Sequence, residues 1–352
     1  MFSKKLNILN VEKKKLNIFL SSINEKSFRS SQIMKWIYQI FLKNFDKMSN
    51  LPLKLRENLK KFFFIKTPKV LKKLISSDGT IKFLMKLEDN QIIEAVYIPK
   101  KKKSTLCISS QVGCMVGCNF CYTSAQGFNR NLYLYEIIGQ VWNVFKILGR
   151  NLIKNVVFMG MGEPLFNLKN VVSSIKLMMD NSCFNISRKN IIVSTSGIVP
   201  AIYKFSNELN IPLSVSLHAP NDNVRNKIMP INKKYNISKL LRSLEYYLSK
   251  PKNKKLLTIE YIMINNLNDK KTHACQLLNI LKKIKCKVNL IPLNNFPKLK
   301  YKCSKIVKIR KFFKLLVKNK IITTIRKQRG NDIYASCGQL AGKINNKLKK
   351  IQ

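Results

Sequence analysis

The sequence predicts an α/β fold in which parallel strands are joined by helical crossovers. From residue 104 onward, six short apolar segments alternate with longer segments of helical periodicity. Parallel strands need connections of about a dozen residues or more, and the intervening helices supply them. With 45% hydrophobic residues in 352, the chain can also build a large core. Six strands are fewer than a closed eight-stranded barrel needs, so the pattern fits a partial barrel and an open sheet equally well.

Residues 1–70 are predicted to form a small helical domain. Ser30 opens a segment in which Ile33 and Ile37 recur at helical spacing, extending to Phe41. A second helix is predicted to begin at 50–52, with Pro52 in its first turn.

Residues 71–103 are predicted to form a β-hairpin region that links the helical domain to the crossover core. Segments 74–76 and 80–83 flank Asp78 and Gly79, a pair typical of tight hairpin turns. A second strand pair is predicted to end at 94–99, and the lysines that follow are predicted to be a loop.

The crossover core is predicted to span 104–343, with a basic tail at 344–352. Its predicted strands are 105–109, 155–158, 190–194, 213–217, 257–264 and 287–291. Its predicted helices are 134–149, 168–180, 199–207, 238–249 and 270–284. In such folds ligands bind at the carboxyl ends of the parallel strands, so the site is expected there.

The charge balance favours a polyanionic partner. The chain has 66 Lys and Arg against 17 Asp and Glu, a formal net charge of +49. Phosphate contacts by Lys and Arg dominate nucleic-acid binding, so RNA or DNA is expected rather than a small molecule alone. The N-terminal helices either pack against the core or bind this partner.

No apolar run reaches about 18 residues and no signal-peptide core is visible, so a cytoplasmic protein with no membrane span is expected.

Four of the nine cysteines lie within 15 residues: Cys107, Cys114, Cys118 and Cys121. At this chain length and in a reducing cytosol, a disulfide scaffold is not expected. The last three form C-x3-C-x2-C in a loop after the first core strand. Two kinds of site fit. A structural zinc needs a fourth ligand, for which Cys107 is a distant candidate. A [4Fe–4S] cluster with three thiolates would leave one iron open to a substrate or cofactor.

Small polar residues follow successive predicted strands of the core. Glycine at 162 would let a ligand approach the backbone closely, and the adjacent Glu163 could accept hydrogen bonds from a cationic amino group. The later strands run into Ser194, into Ser216, Leu217 and His218, and into Asn294. Together these positions predict a ring of hydrogen-bonding groups around one mouth.

Several longer strings resemble those of the radical S-adenosylmethionine (SAM) enzymes, and specifically the RlmN-type ribosomal RNA adenine-C2 methyltransferases. The strings are CISSQVGC (107–114), QGFNRNL (126–132), FMGMGEPL (158–165), SLHAPN (216–221), PINKKY (230–235) and RGNDIYASCGQL (329–340). The resemblance runs from about residue 29 to 343 and implies a partial (β/α)6 TIM-type barrel with a helical N-terminal domain. Tyr122 and Asn295 depart from the family pattern without removing an implied ligand.

The resemblance also implies a set of cofactors and roles. Cys114, Cys118 and Cys121 would carry a [4Fe–4S] cluster whose open iron binds SAM, and two SAM molecules would be used per turnover. The SAM contacts implied are Gly162, Glu163, Ser194, Ser216, Leu217, His218 and Asn294. Cys337 would be methylated first, Cys107 would resolve the protein–RNA adduct through a transient disulfide with Cys337, and Glu94 would accept a proton. Cys183, Cys275, Cys286 and Cys303 match no functional string and are predicted to serve packing.

The implied substrates are an adenine of 23S rRNA at the peptidyl-transferase centre and the adenine 3′ of the tRNA anticodon. An electron donor such as a flavodoxin-type reductase system and a monomeric state are further expectations. Two alternatives stay open: a relative that methylates carbon 8 of the same adenine, and a zinc-stapled RNA-binding protein without catalysis. Pro164 and the string at 232–235 favour carbon 2 over carbon 8.

Overall fold

The computed structural model describes residues 5–341, apart from residue 102, residues 251–256 and residue 298. The predicted basic tail at 344–352 lies outside these residues. In chain order the strands and helices are β1 (Leu6–Asn7), α1 (Lys13–Ser22), α2 (Phe28–Tyr38), α3 (Leu53–Phe62), β2 (Phe63–Phe64), β3 (Lys69–Ile75), β4 (Ile81–Lys86), β5 (Ile92–Ile98), β6 (Ser104–Cys107), β7 (Gln111–Gly113), α4 (Tyr122–Ala125), β8 (Phe128–Asn131), α5 (Leu134–Leu148), β9 (Ile153–Phe158), α6 (Leu168–Met179), β10 (Ile191–Thr195), α7 (Val199–Glu208), β11 (Leu213–Ser216), α8 (Asp222–Ile228), α9 (Ile237–Ser249), β12 (Leu257–Met263), α10 (Lys271–Leu281), β13 (Cys286–Pro292), α11 (Ile306–Lys318) and β14 (Ile322–Ile325).

The N-terminal segment is helical, as predicted, but two helix starts differ from the prediction. The helix α2 begins at Phe28 after Ser27, so Ser30 lies inside it, where its hydroxyl donates to the Ser27 carbonyl oxygen. Phe41 lies beyond the end of α2 with a positive φ of 58°. Pro52 precedes α3 as its N-cap residue rather than standing in its first turn. The short parallel pair of β1 and β2 closes this segment on itself.

One ten-stranded sheet forms the centre of the molecule, in the order β14-β13-β12-β11-β10-β9-β6-β5-β4-β3. Neighbouring strands from β6 to β14 pair in parallel, and each of the six predicted core strands is present. The strand β14 is a seventh parallel strand that the sequence pattern did not reveal. The hairpin region is not a separate linker, because β5 pairs antiparallel with β6 and continues the same sheet.

The helix α5 connects the sheet to the N-terminal helices. Twelve of its fifteen residues are buried, from Leu134 to Phe145, which is why its sequence is apolar nearly all round. The indole N–H of Trp142 donates to the carbonyl oxygen of Ile37 at 2.8 Å, and Asn143 Nδ2 donates to the carbonyl oxygen of Pro68 at 2.8 Å. The N-terminal helices therefore share a continuous core with the sheet.

The sheet curls around an internal cavity of about 330 Å³, lined by residues of every strand from β5 to β14 except the small hairpin β7–β8. Arg326, just after β14, reaches Met159, just after β9, with 3.9 Å between Nη1 and Sδ. The first and last strands, β3 and β14, do not pair with each other. The fold is thus a partial barrel. None of the described helices is both long and apolar enough to cross a membrane.

Candidate active site

A second cavity opens at the carboxyl ends of the parallel strands, where the sequence placed the site. Cys114, Cys118 and Cys121 line one side of it. It is also lined by residues at or just after the ends of β9, β10 and β11, among them Gly162, Glu163, Ser194, Ser216 and His218. The structure therefore brings the three-cysteine loop and most of the polar strand-end residues to one place.

The cysteine loop is shaped by glycine. Gly113 has a φ of +77°, and a Cβ there would lie 2.1 Å from the Gly127 carbonyl oxygen, so only glycine fits where β7 meets β8. The Ser124 hydroxyl then accepts a hydrogen bond from the Gly117 amide at 2.9 Å, which folds the loop back onto α4. These contacts orient the loop toward the strand ends.

Burial raises the pKa of all three loop thiols. The pKa of Cys114 rises to about 12, because burial and the neighbouring Cys121 disfavour a thiolate. The pKa of Cys118 and that of Cys121 are raised by the same burial. Metal binding requires thiolates, so a cation placed here would displace protons as it bound.

The donor set of the loop fits a cuboidal cluster better than a single ion. Within the described ranges, no three His, Cys, Asp or Glu side chains converge closely enough to hold one metal ion. A structural zinc requires four such ligands around one point. A cubane cluster instead binds each thiolate at a different iron, so its ligands stand farther apart. Neither histidine completes such a set, since His218 Nδ1 already accepts a hydrogen bond from the Ile262 amide and His273 lies on α10.

Glu163 joins the ends of β9 and β10. It is 3% exposed, and its carboxylate accepts hydrogen bonds from the Ser196 amide at 2.6 Å, the Ser196 hydroxyl at 2.7 Å and the Leu165 amide at 3.0 Å. Burial raises its pKa, and these donors oppose the rise. Gly162 before it has a φ of +95°, and a Cβ there would lie 2.4 Å from the Cβ of Gln111.

His218 lies at the end of β11 as a neutral imidazole. Burial, reinforced by the positive charge of Arg225, lowers its pKa to about 3. Its Nδ1 accepts a hydrogen bond from the Ile262 amide at 3.1 Å, which leaves the proton on Nε2. The Phe120 ring of the cysteine loop packs edge-on against it, with 4.9 Å between ring centroids.

Leu217 differs from its neighbours in the predicted SAM site, because its side chain is fully buried in the main core and does not line either cavity.

Cys337 lines both cavities and so lies where they join. Its carbonyl oxygen accepts a hydrogen bond from Asn294 Nδ2 at 2.9 Å. The residues just after it dock on the cysteine loop: the Tyr122 amide donates to the Gly338 carbonyl oxygen at 2.7 Å, and the Thr123 hydroxyl donates to the Leu340 carbonyl oxygen at 2.6 Å. The C-terminal segment thus carries a thiol to the mouth of the barrel.

Cys107, the last residue of β6, lines the internal cavity together with Cys337. Burial raises its pKa to about 12, with the nearby Cys337 adding to the rise and Arg326 opposing it. Two cysteines 230 positions apart in sequence therefore share one cavity and one neighbouring guanidinium.

Glu94 lies on β5 beside the C-terminal segment. It is 4% exposed, its Oε1 lies 3.5 Å from Lys82 Nζ, and its Oε2 accepts a hydrogen bond from the Ala341 amide at 3.2 Å.

Of the four cysteines predicted to serve packing, Cys183 is buried, whereas Cys275 and Cys303 are exposed, so the prediction is wrong for these two.

Sequence reasoning missed Arg225 and Arg326. Both lie at the strand ends, one on α8 and the other after β14. A signal for them exists in the composition, since the chain has only ten Arg among its 66 basic residues. Where Lys is so abundant, each Arg is a candidate for a position that uses a planar group with five donors.

Comparisons with known proteins agree with this geometry. The model of the radical SAM superfamily matches residues 108–278, and that of the ribosomal RNA large subunit methyltransferase N-terminal domain matches residues 6–65. A dual-specificity RNA methyltransferase RlmN from Wigglesworthia glossinidia brevipalpis is 52% identical over 99% of this chain and 93% of that protein. Its namesake from Buchnera aphidicola is 48% identical over 98% of this chain and 96% of that protein. The crystal structure of a radical SAM methyltransferase from Sphaerobacter thermophilus superposes with a TM-score of 0.89 and 34% identity, covering 95% of this chain and 99% of that one.

The fold and the cysteine loop define a methyltransferase of the radical SAM superfamily, whose cofactors are a [4Fe–4S] cluster and SAM. Within that class the chain belongs to the RlmN family of dual-specificity RNA methyltransferases. The resemblance, the fold class and the enzyme class predicted from the sequence are thereby confirmed.

Proposed function

We propose that this enzyme methylates carbon 2 of an adenine in 23S rRNA, at the peptidyl-transferase centre, and of the adenine 3′ of the anticodon in tRNA. The observation that carries the proposal is the position of Cys337 at the junction of two cavities, with the three-cysteine loop in one and Cys107 in the other. Carbon 2 of adenine is not nucleophilic, so transfer of a methyl group directly from a sulfonium fails there. A chemistry that uses protein thiols is therefore needed, and Cys107 and Cys337 lie together in the internal cavity.

Cys114, Cys118 and Cys121 would hold the cluster, and the strand-end residues would hold SAM. When bound, these cofactors supply a methyl group and a hydrogen-abstracting radical. Glu163 and Ser194 line the cavity beside the loop, and Asn294 has a buried Oδ1 with no partner among the described residues. An unpaired buried acceptor costs about 1–3 kcal/mol, so Asn294 is suited to receive a donor from SAM. Neutral His218 would donate from Nε2, and Leu217 would contribute through its backbone only.

Cys337 would act first as a methyl acceptor and then as the carbon donor. Its methyl group would lose a hydrogen atom, and the remaining methylene would bond to carbon 2 of the adenine. Glu94 would take the proton that leaves carbon 2. The odd electron of the adduct would return to the oxidised cluster. The Cys107 thiolate would then attack the sulfur of Cys337, so that an S–S bond forms as the S–C bond to the methylene breaks, and a proton would complete the methyl group of the released base. Thiolate attack on sulfur is favoured by a nearby cation, and Arg326 opposes the rise in the pKa of Cys107.

The RNA would enter over the C-terminal segment. Lys327, Gln328 and Arg329 line the mouth of the internal cavity next to Cys337. The net charge of +49 favours a phosphate backbone around this mouth. The use of two SAM molecules per turnover, a flavodoxin-type electron donor, a monomeric state and a cytoplasmic location belong to the same proposal.

A single anaerobic turnover tests the function. The protein is reconstituted with iron and sulfide and given methyl-deuterated SAM, reductant, and an rRNA fragment or a tRNA, and the digested RNA is analysed by mass spectrometry. The expected product is 2-methyladenosine that lacks one deuterium per transferred methyl group. As matched variants, Cys337→Ala is expected to abolish the product and Cys275→Ala, on the exposed face of α10, to leave it unchanged. The appearance of 8-methyladenosine, or a colourless protein that binds one zinc, would overturn the proposal.

A further inference from the structure

The side chain of Arg225 on α8 is fully buried, and all five of its N–H groups are used. Its Nε donates to the Leu217 carbonyl oxygen at 3.0 Å, and its Nη2 donates to the carbonyl oxygens of Ser196 at 2.7 Å and Ser216 at 3.1 Å. Its Nη1 donates to Asn232 Oδ1 at 2.8 Å and to the Tyr235 carbonyl oxygen at 3.3 Å. Arg225 therefore holds the ends of β10 and β11 together.

Every acceptor around Arg225 is a neutral oxygen. Among the described residues no carboxylate lies within 4.0 Å of its guanidinium. Asp222, at the start of the same helix, is linked to Arg225 through Asn232, whose Nδ2 donates to Asp222 Oδ1 at 2.8 Å and whose Oδ1 accepts from Arg225. Burial lowers the pKa of Arg225 to about 10, although the negative charge of Asp222 opposes the fall, and Arg225 stays charged at neutral pH. A buried charge is costly unless an opposite charge compensates it, so an anion is expected nearby.

The cysteine loop is docked on the helix that carries Arg225. The Asn119 amide donates to the Ile228 carbonyl oxygen at 3.0 Å, and Asn119 Nδ2 donates to the Lys227 carbonyl oxygen at 2.8 Å. Cys118 packs in the same apolar cluster as Ile228 and Met229. Ser196 and Ser216, whose carbonyl oxygens accept hydrogen bonds from Arg225, line the same cavity as the three cysteines.

We propose that Arg225 is the buried counter-charge of the iron–sulfur cluster and raises its reduction potential; this rests on the function proposed above. A cubane held by three thiolates is anionic and gains one more negative charge on reduction. A fixed cation in a site of low dielectric stabilises the reduced cluster more than the oxidised one. Arg225 is a positioning and tuning residue, since it contacts the strand ends rather than the reacting atoms.

The test is a potentiometric titration of the reconstituted cluster, followed by electron paramagnetic resonance, on three substitutions at this centre. Arg225→Gln is expected to lower the reduction potential, and Arg225→Lys, which keeps the charge, to leave it near that of the wild type. Asp222→Asn, which removes the nearest negative charge, is expected to shift the potential in the opposite direction. Arg242→Gln on exposed α9 is the matched control and is expected to change nothing.

Equal shifts for Lys and Gln at position 225, or no shift for Gln with the cluster retained, would refute the counter-charge role. If Arg225→Gln fails to fold, as judged by thermal unfolding of the apoprotein, Asp222→Asn decides the question, and an unchanged or lowered potential overturns the proposal. A wild-type protein that takes up no cluster would instead overturn the proposed function. If the wild-type protein makes 2-methyladenosine, but the reduction potential of its cluster is the same with and without the charge of Arg225, only the role of Arg225 is overturned.

Discussion

The hydroxyl of Ser76 donates a hydrogen bond of 2.6 Å to the carboxylate of Asp332, although 256 positions separate the two residues. Ser76 lies in the turn between β3 and β4, and Asp332 lies in the segment that leads to Cys337. The same turn binds that segment again through Asp78, which accepts a hydrogen bond from the Gly330 amide at 3.0 Å. Lys82 on β4 donates to the Tyr334 carbonyl oxygen at 3.2 Å. The antiparallel end of the sheet thus anchors the C-terminal segment over the barrel mouth.

Substitution of Asp332 by Ala is expected to loosen this segment without unfolding the protein, because its contacts to Ser76 and to the Ser77 amide are lost. Amide hydrogen exchange in residues 329–341 is expected to become roughly fivefold faster, while the core strands remain protected. Methylation of Cys337, measured by intact mass, is expected to slow as well. Asp46→Ala, which removes an exposed ion pair with Lys60 in the N-terminal helices, is the control. Unchanged exchange in 329–341 would show that the anchor lies elsewhere.

Substitution of Cys107 by Ala is expected to trap a covalent protein–RNA adduct. Without the second thiol in the internal cavity, nothing attacks the sulfur of Cys337, so the adduct has no route to resolution. Denaturing electrophoresis with labelled tRNA is expected to show a shifted band for this variant and none for Cys275→Ala. Release of free methylated RNA at the wild-type rate would contradict the role given to Cys107.

His218 is expected to make the folded apoprotein less stable as the pH falls below 6.5. Its folded pKa of about 3 lies below the ordinary value of 6.5, so the unfolded chain binds a proton that the folded chain excludes. Between pH 7.5 and 5.5 this single group should reduce the free energy of unfolding by about 1.4 kcal/mol. Urea unfolding of wild-type protein and of His218→Asn at both pH values measures it. On going from pH 7.5 to pH 5.5, the free energy of unfolding of the variant is expected to fall by less than that of the wild type, and the difference should equal this amount. If both proteins show the same pH dependence of stability, His218 takes up its proton in the folded protein as readily as in the unfolded chain.

Substitution of Glu163 by Gln is expected to destabilise the protein by about 2 kcal/mol. The carboxylate accepts from three donors through two oxygens, and an amide nitrogen at either position would face a donor. Equilibrium unfolding in urea gives the free-energy change, and SAM binding is expected to weaken in parallel because the β9 and β10 ends separate. Glu245→Gln on exposed α9 controls for the loss of one negative charge. A stable variant with normal SAM binding would show that Ser196 and Leu165 find other acceptors.

The elements that sequence predicted best are those whose burial has a local pattern. The strand β12 is buried along nearly its whole length, and five of its seven residues are apolar. Helices α5, α6, α7 and α9 begin and end within about one residue of their predicted bounds, because each carries an apolar face with helical period. By contrast, β14 is half exposed and α8 has only seven mostly polar residues, so neither has a periodic signal.

The sequence by itself determined the α/β class, the three-cysteine loop and the polar residues after the strands, because each depends on spacing along the chain. Only the tertiary structure decided that Cys337 and Cys107 share a cavity, that Asp332 is held by Ser76, and that Arg225 joins two strand ends. The physical reason is that the partners of Arg225 are mainly backbone carbonyl oxygens. Every residue carries such an oxygen, so no sequence pattern marks the ones that the fold brings together.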